Sequence, residues 1–170
     1  MPSLRTHALF LFVPVLAGCA TSSQLVEDSL TAPAAIAAVG LGQVRFDYSQ
    51  WTNKDDKEVA TAKQNEAAWA KALGDAFLAR ANKRGLGGVD NRTKVDITIV
   101  DLEPGSRAAR YFVGFGAGSG VITAKVDAEG HGTFRMNGKI TGGAWGGNFV
   151  NVMEELGQSI ADHFAERAGK

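Results

Sequence analysis

The chain has 170 residues, and its 18 Lys and Arg offset 18 Asp and Glu, so it carries no formal net charge. That balance excludes a partner held by a broadly basic surface, nucleic acid above all, because such binding rests on neutralising phosphates. With one cysteine an internal disulfide is excluded as well, so a chain of ordinary single-domain length has to be stabilised by a hydrophobic core.

Arg5 and His7 precede an apolar run from Ala8 to Val15, which Leu16-Ala17-Gly18-Cys19 closes. The run is shorter than the roughly 20 apolar residues of a permanent membrane helix, yet it fits the roughly 7–15-residue core of a secretory signal. Leu-Ala-Gly-Cys resembles the lipobox of bacterial lipoprotein signal peptides. The resemblance implies cleavage before Cys19, a diacylglyceryl group on its sulfur and acylation of the new amine; Ala20 after the cysteine implies the periplasmic side of the outer membrane. Residues 1–18 are then a signal peptide. One acyl chain binds a membrane only marginally, whereas two or three anchor stably. The alternative for Cys19 is a small buried hydrophobe, the usual role of a free cysteine.

From residue 19 to 39 the sequence is Ala, Ser, Thr and isolated apolar residues, with Pro33 breaking any helix. This reads as a lipidated tether with too little apolar surface to offset the entropy of ordering, although Leu25, Val26 and Leu30 leave room for a short helical turn. The folded domain is expected over residues 40–170. Val44, Phe46 and Tyr48 alternate with Arg45, Asp47 and Ser49, the two-residue period of a half-buried strand. A run rich in Ala, Lys, Glu and Gln follows, with Trp69, Leu73, Ala76, Phe77 and Ala81 on one stripe, which predicts a helix from about Glu58 to Arg84. Gly85 stands where a left-handed residue would end it.

Val95, Ile97 and Ile99 predict a second strand; Ile122, Ala124 and Val126 a third; and Phe134, Met136, Gly138 and Ile140 a fourth. The turn Glu129-Gly130-His131-Gly132 joins the last two as a hairpin. Val152, Leu156, Ile160 and Phe164, flanked by Met153 and Ala161, predict a closing helix. The order β-α-β-β-β-α points to an α+β fold: a mostly antiparallel sheet of four to five strands with two helices on one face, the first β-α-β unit forming a parallel crossover.

Glycine occupies every second position at Gly114, Gly116, Gly118 and Gly120. On a strand all four share one face, which leaves bare backbone. Apolar side chains change parity across Gly118-Ser119-Gly120, so a bulge or break is expected there. Pro104-Gly105-Ser106, Arg110-Tyr111 and the run Val113 to Ser119 resemble a family of bacterial lipoproteins classed as a domain of unknown function, number 4410. The resemblance implies an envelope lipoprotein of undefined activity and carries over no catalytic residue.

The glycine run admits several uses. It lacks the Gly-x-Gly-x-x-Gly spacing and following helix of a dinucleotide site. Arg107 and Arg110 beside exposed amides could bind a carboxylate or phosphate. The bare face could instead admit Trp145, Trp69 or a neighbouring strand, or form a contact between copies. Asp127, Glu129 and His131 have the spacing of a metal site on a straight strand, but the intervening glycines favour a solvated hairpin. His163 and Glu166 read as a wet helix flank. Asp101, Glu103 and Ser106 come without the orienting third group that hydrolysis needs, which leaves a hydrolase using Ser106 or a metal at His131 as the weakest alternative.

The sequence therefore points to a lipid-anchored, non-catalytic binding or assembly module with no cofactor and no metal. Its partners would be the membrane through Cys19 and an envelope protein or further copies of itself.

Overall fold

The computed structural model describes residues 22–52, 56–88, 92–103, 120–140 and 149–170. Five strands, β1 (Ser22–Asp28), β2 (Ala38–Phe46), β3 (Arg92–Glu103), β4 (Gly120–Ala128) and β5 (Gly132–Ile140), form one sheet in the order β1-β5-β4-β3-β2. Helix α1 (Asp56–Lys83) connects β2 to β3, and helix α2 (Phe149–Arg167) closes the chain. Both pack on the same face, giving the expected two-layer α+β architecture with a mostly antiparallel sheet. β2 and β3 are parallel across α1, and every other pair is antiparallel.

Alternation sorts the strand residues. Val95, Ile97, Ile99, Ile122, Ala124, Val126, Phe134 and Met136 are buried under the helices. They meet Leu73 and Phe77 of α1 and Val152, Met153, Leu156, Ile160 and Phe164 of α2, so the spacing of the apolar residues alone fixes which face is covered. The helices approach closely at Gly157, where a Cβ would lie 2.3 Å from the carbonyl oxygen of Leu73. Arg80 adds a two-pronged ion pair to Asp162, 2.8 Å at both Nε and Nη2, which ties the helices together at their solvent margin.

Gly85 ends α1 as expected, at φ 74°, with its N–H on Asn82 O and the Leu86 N–H on Ala81 O. These two bonds are a Schellman motif, and the buried Leu86 completes it against the core. The hairpin turn likewise falls at Glu129–His131, with Gly130 and Gly132 at positive φ.

The tether expectation fails in the structure. Within residues 19–39, Ser22–Asp28 is a strand on the sheet's edge, paired with β5 from Ser22↔Lys139 to Asp28↔Phe134. Pairing by backbone needs no apolar period, and isolated apolar residues suffice to anchor the segment between β1 and β2: Leu30 and Ile36 are buried, as are Ala38 and Val39. β2 accordingly begins at Ala38, earlier than its alternation indicated, and Tyr48 lies beyond it in a 3-10 turn, Tyr48–Gln50.

Both edge strands are bulged. β1 shifts register between Leu25 and Glu27, and β2 between Leu41 and Val44. At the second bulge the Gln43 N–H, displaced from the ladder, donates to Asp96 Oδ1 at 2.8 Å. That bond, ahead of the neighbouring Lys94, holds the Asp96 carboxyl below its ordinary range. Gly42 leaves room for that bond, since a Cβ there would come within 2.0 Å of the same oxygen and displace the side chain.

Candidate functional site

Strand register gathers the ends of several segments at one end of the sheet. β3 ends at Glu103, β4 starts at Gly120, β5 ends at Ile140, α2 starts at Phe149, and β1 starts at Ser22 opposite Lys139. The described segments that flank residues 104–119 and 141–148 therefore end at the same end of the sheet as the start of β1. Gly120 is buried and paired with Ile140. Cys19, Arg107, Arg110, Gly114, Gly116, Gly118 and Trp145 lie outside the described residues, as do Ser106 and the expected break at 118–119.

An aromatic chain forms beneath this end. Phe46 stacks on Tyr48 with centroids 6.1 Å apart, Tyr48 meets Trp51 at 4.7 Å, Phe46 meets Trp69 at 6.4 Å, and Trp69 stacks on Phe149 at 5.0 Å. The helix stripe in the sequence located Trp69; nothing in the spacing united it with Trp51, which is buried too. Tyr48 donates to Glu66 Oε2 at 2.7 Å, and Lys63 lies 5.4 Å above its ring. Burial first, then the Glu66 carboxylate, pushes the phenol's pKa well above its ordinary value, so Tyr48 stays a neutral donor. The Trp51 indole N–H is buried and has no acceptor among the described residues.

Asp101 borders the cluster. Its carboxylate accepts from Thr52 N–H and Thr52 Oγ1, both at 2.9 Å, and from Leu102 N–H at 3.0 Å. It fastens the approach to α1 onto β3 and is committed to that structural task, not paired with Glu103.

A second cluster sits at the other end of β1 and corrects the expectation of a wet helix flank. His163 is only 8% exposed and packs on Phe134 at a centroid distance of 4.6 Å. Its Nε2 lies 3.2 Å from Asp28 Oδ2 without the alignment of a hydrogen bond, while Arg167 Nε approaches the same oxygen at 3.2 Å. Asp28 Oδ1 accepts from Leu30 N–H at 2.9 Å. Burial is the largest influence on His163 and lowers its pKa, against the opposing attraction of Asp28. The imidazole is thus neutral at neutral pH, and Asp28 and Arg167 latch the edge strand to α2. The available signal was positional: His163 adjoins Phe164 on the core stripe of α2.

The hairpin residues do not converge. Asp127 lies on the open face of the sheet opposite Asp96, whereas His131 turns toward the segment that follows β1, with Nδ1 3.3 Å from Thr31 O. Among the described residues no group of three His, Cys, Asp or Glu side chains is arranged to hold a metal ion. No helix among them is long and apolar enough to cross a membrane.

A family model described as "Domain of unknown function (DUF4410)" matches residues 39–161. No curated protein matches the chain. A solved structure of a PelC dodecamer, a point variant from Paraburkholderia phytofirmans, is similar at a TM-score of 0.37 and 10% identity, covering 84% of this chain and 97% of that one. At that similarity no feature is carried over from it.

Proposed function

We propose, from the premise that this chain belongs to the DUF4410 family of unknown function, that it is a lipid-anchored bacterial envelope protein serving as a non-catalytic binding or assembly module. The observation that carries this reading is the apolar run closed by Leu16-Ala17-Gly18-Cys19. The strand register adds a geometric consequence. Only Ala20 and Thr21 separate Cys19 from Ser22, a reach of about 10 Å, so a lipid on Cys19 would hold the start of β1 almost at the headgroups. By the same resemblance, Ala20 favours the outer membrane.

Labelling with a tagged fatty acid in the native host, followed by mass analysis, tests the anchor. The wild type should carry lipid on Cys19, lack residues 1–18 and sediment with outer membrane; Cys19→Ala should be unlabelled and either unprocessed or soluble. An unmodified thiol with the leader still attached refutes the proposal.

A second reading is assembly through the glycine run of residues 113–120, favoured by glycine at every second position from Gly114 to Gly120, which on a strand would share a face without side chains. Gly116→Val should then abolish association while leaving a folded monomer. An unchanged molar mass by light scattering would dismiss that surface.

A further inference from the structure

The open face of the sheet carries charge in bands. One rung reads Arg45, Thr98, Lys125, Arg135 and Glu27 across all five strands, and the next reads Asp96, Asp127 and Thr133. Lys125 is directly opposite Arg135, and Asp96 directly opposite Asp127, arrangements that cost stability within one sheet. Arg135 finds Glu27 only at 3.8 Å, Arg45 donates to Thr98 at 2.9 Å, Asp96 is paired with Lys94 at 3.3 Å, and Asp127 and Lys125 have no ion-pair partner among the described residues. On β4 the signs alternate along the strand, Lys125 and then Asp127.

We propose that this face is the interface of a two-fold dimer of the chain, two sheets stacked open face to open face. This deepens the assembly reading by naming a second copy as partner and placing it on described residues. A two-fold axis parallel to the rungs, passing between them, sets the cationic rung of one copy over the acidic rung of the other. Lys125 then faces Asp127 of the second copy, and that contact occurs twice, as an isologous interface requires. Five strands of these lengths present about 700 Å² per copy, from ordinary strand spacing and rise, which lies within the range of stable dimers. Stacked sheets of this kind pack about 10 Å apart, a gap that long charged side chains can span.

The test is a charge-exchange series on the full chain in mild detergent, read by sedimentation over a range of salt. The wild type should be a dimer that weakens with salt. Lys125→Glu and Asp127→Lys should each weaken association by about tenfold or more, because like charges then face each other across the axis. The double variant should recover it. Within one chain either single change relieves a like-charge opposition, so thermal melting of the monomer should hold or rise while the dimer is lost. A wild type that is monomeric at all salt concentrations, single variants that stay dimeric, or a double variant that fails to recover overturns the proposal. The mass of Cys19 in the same samples reports the anchor separately, so failure of pairing and failure of lipidation are distinguishable.

Discussion

On the covered face of the sheet the rung through Ile97, Val126 and Phe134 is uniformly apolar, whereas the adjoining rung on the open face carries Thr98, Lys125 and Arg135. The same backbone ladder supports both, so their difference belongs to the side chains and their surroundings. Under the helices, burial leaves no choice but apolar residues of fitting volume. On the open face water screens charge and tolerates almost any pattern, so the like charges opposed there, Lys125 with Arg135 and Asp127 with Asp96, are what the proposed second copy would answer.

The contrast can be broken most decisively from the covered side. Phe134→Ala removes a ring in contact with Phe164 and His163 and should cost about 3–5 kcal/mol by denaturant titration. A loss below about 1 kcal/mol would mean this face is not the tight core described. Gly157→Ala comes next, at about 1–3 kcal/mol, because the new methyl would meet the backbone of α1 at 2.3 Å and the helices must move apart. Gly42→Ala sharpens the comparison at the sheet's edge: the methyl displaces Asp96 from the Gln43 N–H, and a loss of about 1 kcal/mol in thermal melting is expected.

Smaller effects separate the faces by pH. The His163 pKa is lowered in the folded state from its ordinary 6.5, so the unfolded chain takes up the proton first as pH falls. Its contribution is fully present above pH 6.5 and declines below that value toward the folded-state pKa. His163→Gln should flatten the stability profile in that window, while an unaltered slope would show that the imidazole is not buried neutral. The groups facing it are Asp28, Arg167 and Glu166. Asp96, whose pKa is lowered, acts only in a more acidic window, below its ordinary 3.8. Smallest of all, Thr123→Ala on the open face should change monomer stability by less than about 0.5 kcal/mol, checked by the same denaturant titration.

Much of this was legible in the chain. The stripe Val152, Leu156, Ile160 and Phe164, the alternation through Phe134 and Met136, and Gly85 after α1 all appear where periodicity and backbone chemistry place them, because each is a local property of a few neighbouring residues. The candidate site was less legible. Asp28 and His163 are 135 positions apart and carry no motif, and Trp51 sits outside any stripe, so only folding brings them to their contacts.

What the sequence determined by itself is the identity of α1, α2 and the strands β2 to β5 and the face each buries, since a helix or strand shows its period whatever it packs against. The tertiary structure alone decided that residues 22–28 become an edge strand, that β1 lies beside β5, and that like charges meet across the open rungs. The first two depend on pairing between segments more than 100 residues apart, such as Ser22 with Lys139, and the third on the register of the pairs that β3 and β5 make with β4. Backbone hydrogen bonds bring these segments together, and the same N–H and C=O groups recur at nearly every residue, so their partners leave no signature in the order of side chains.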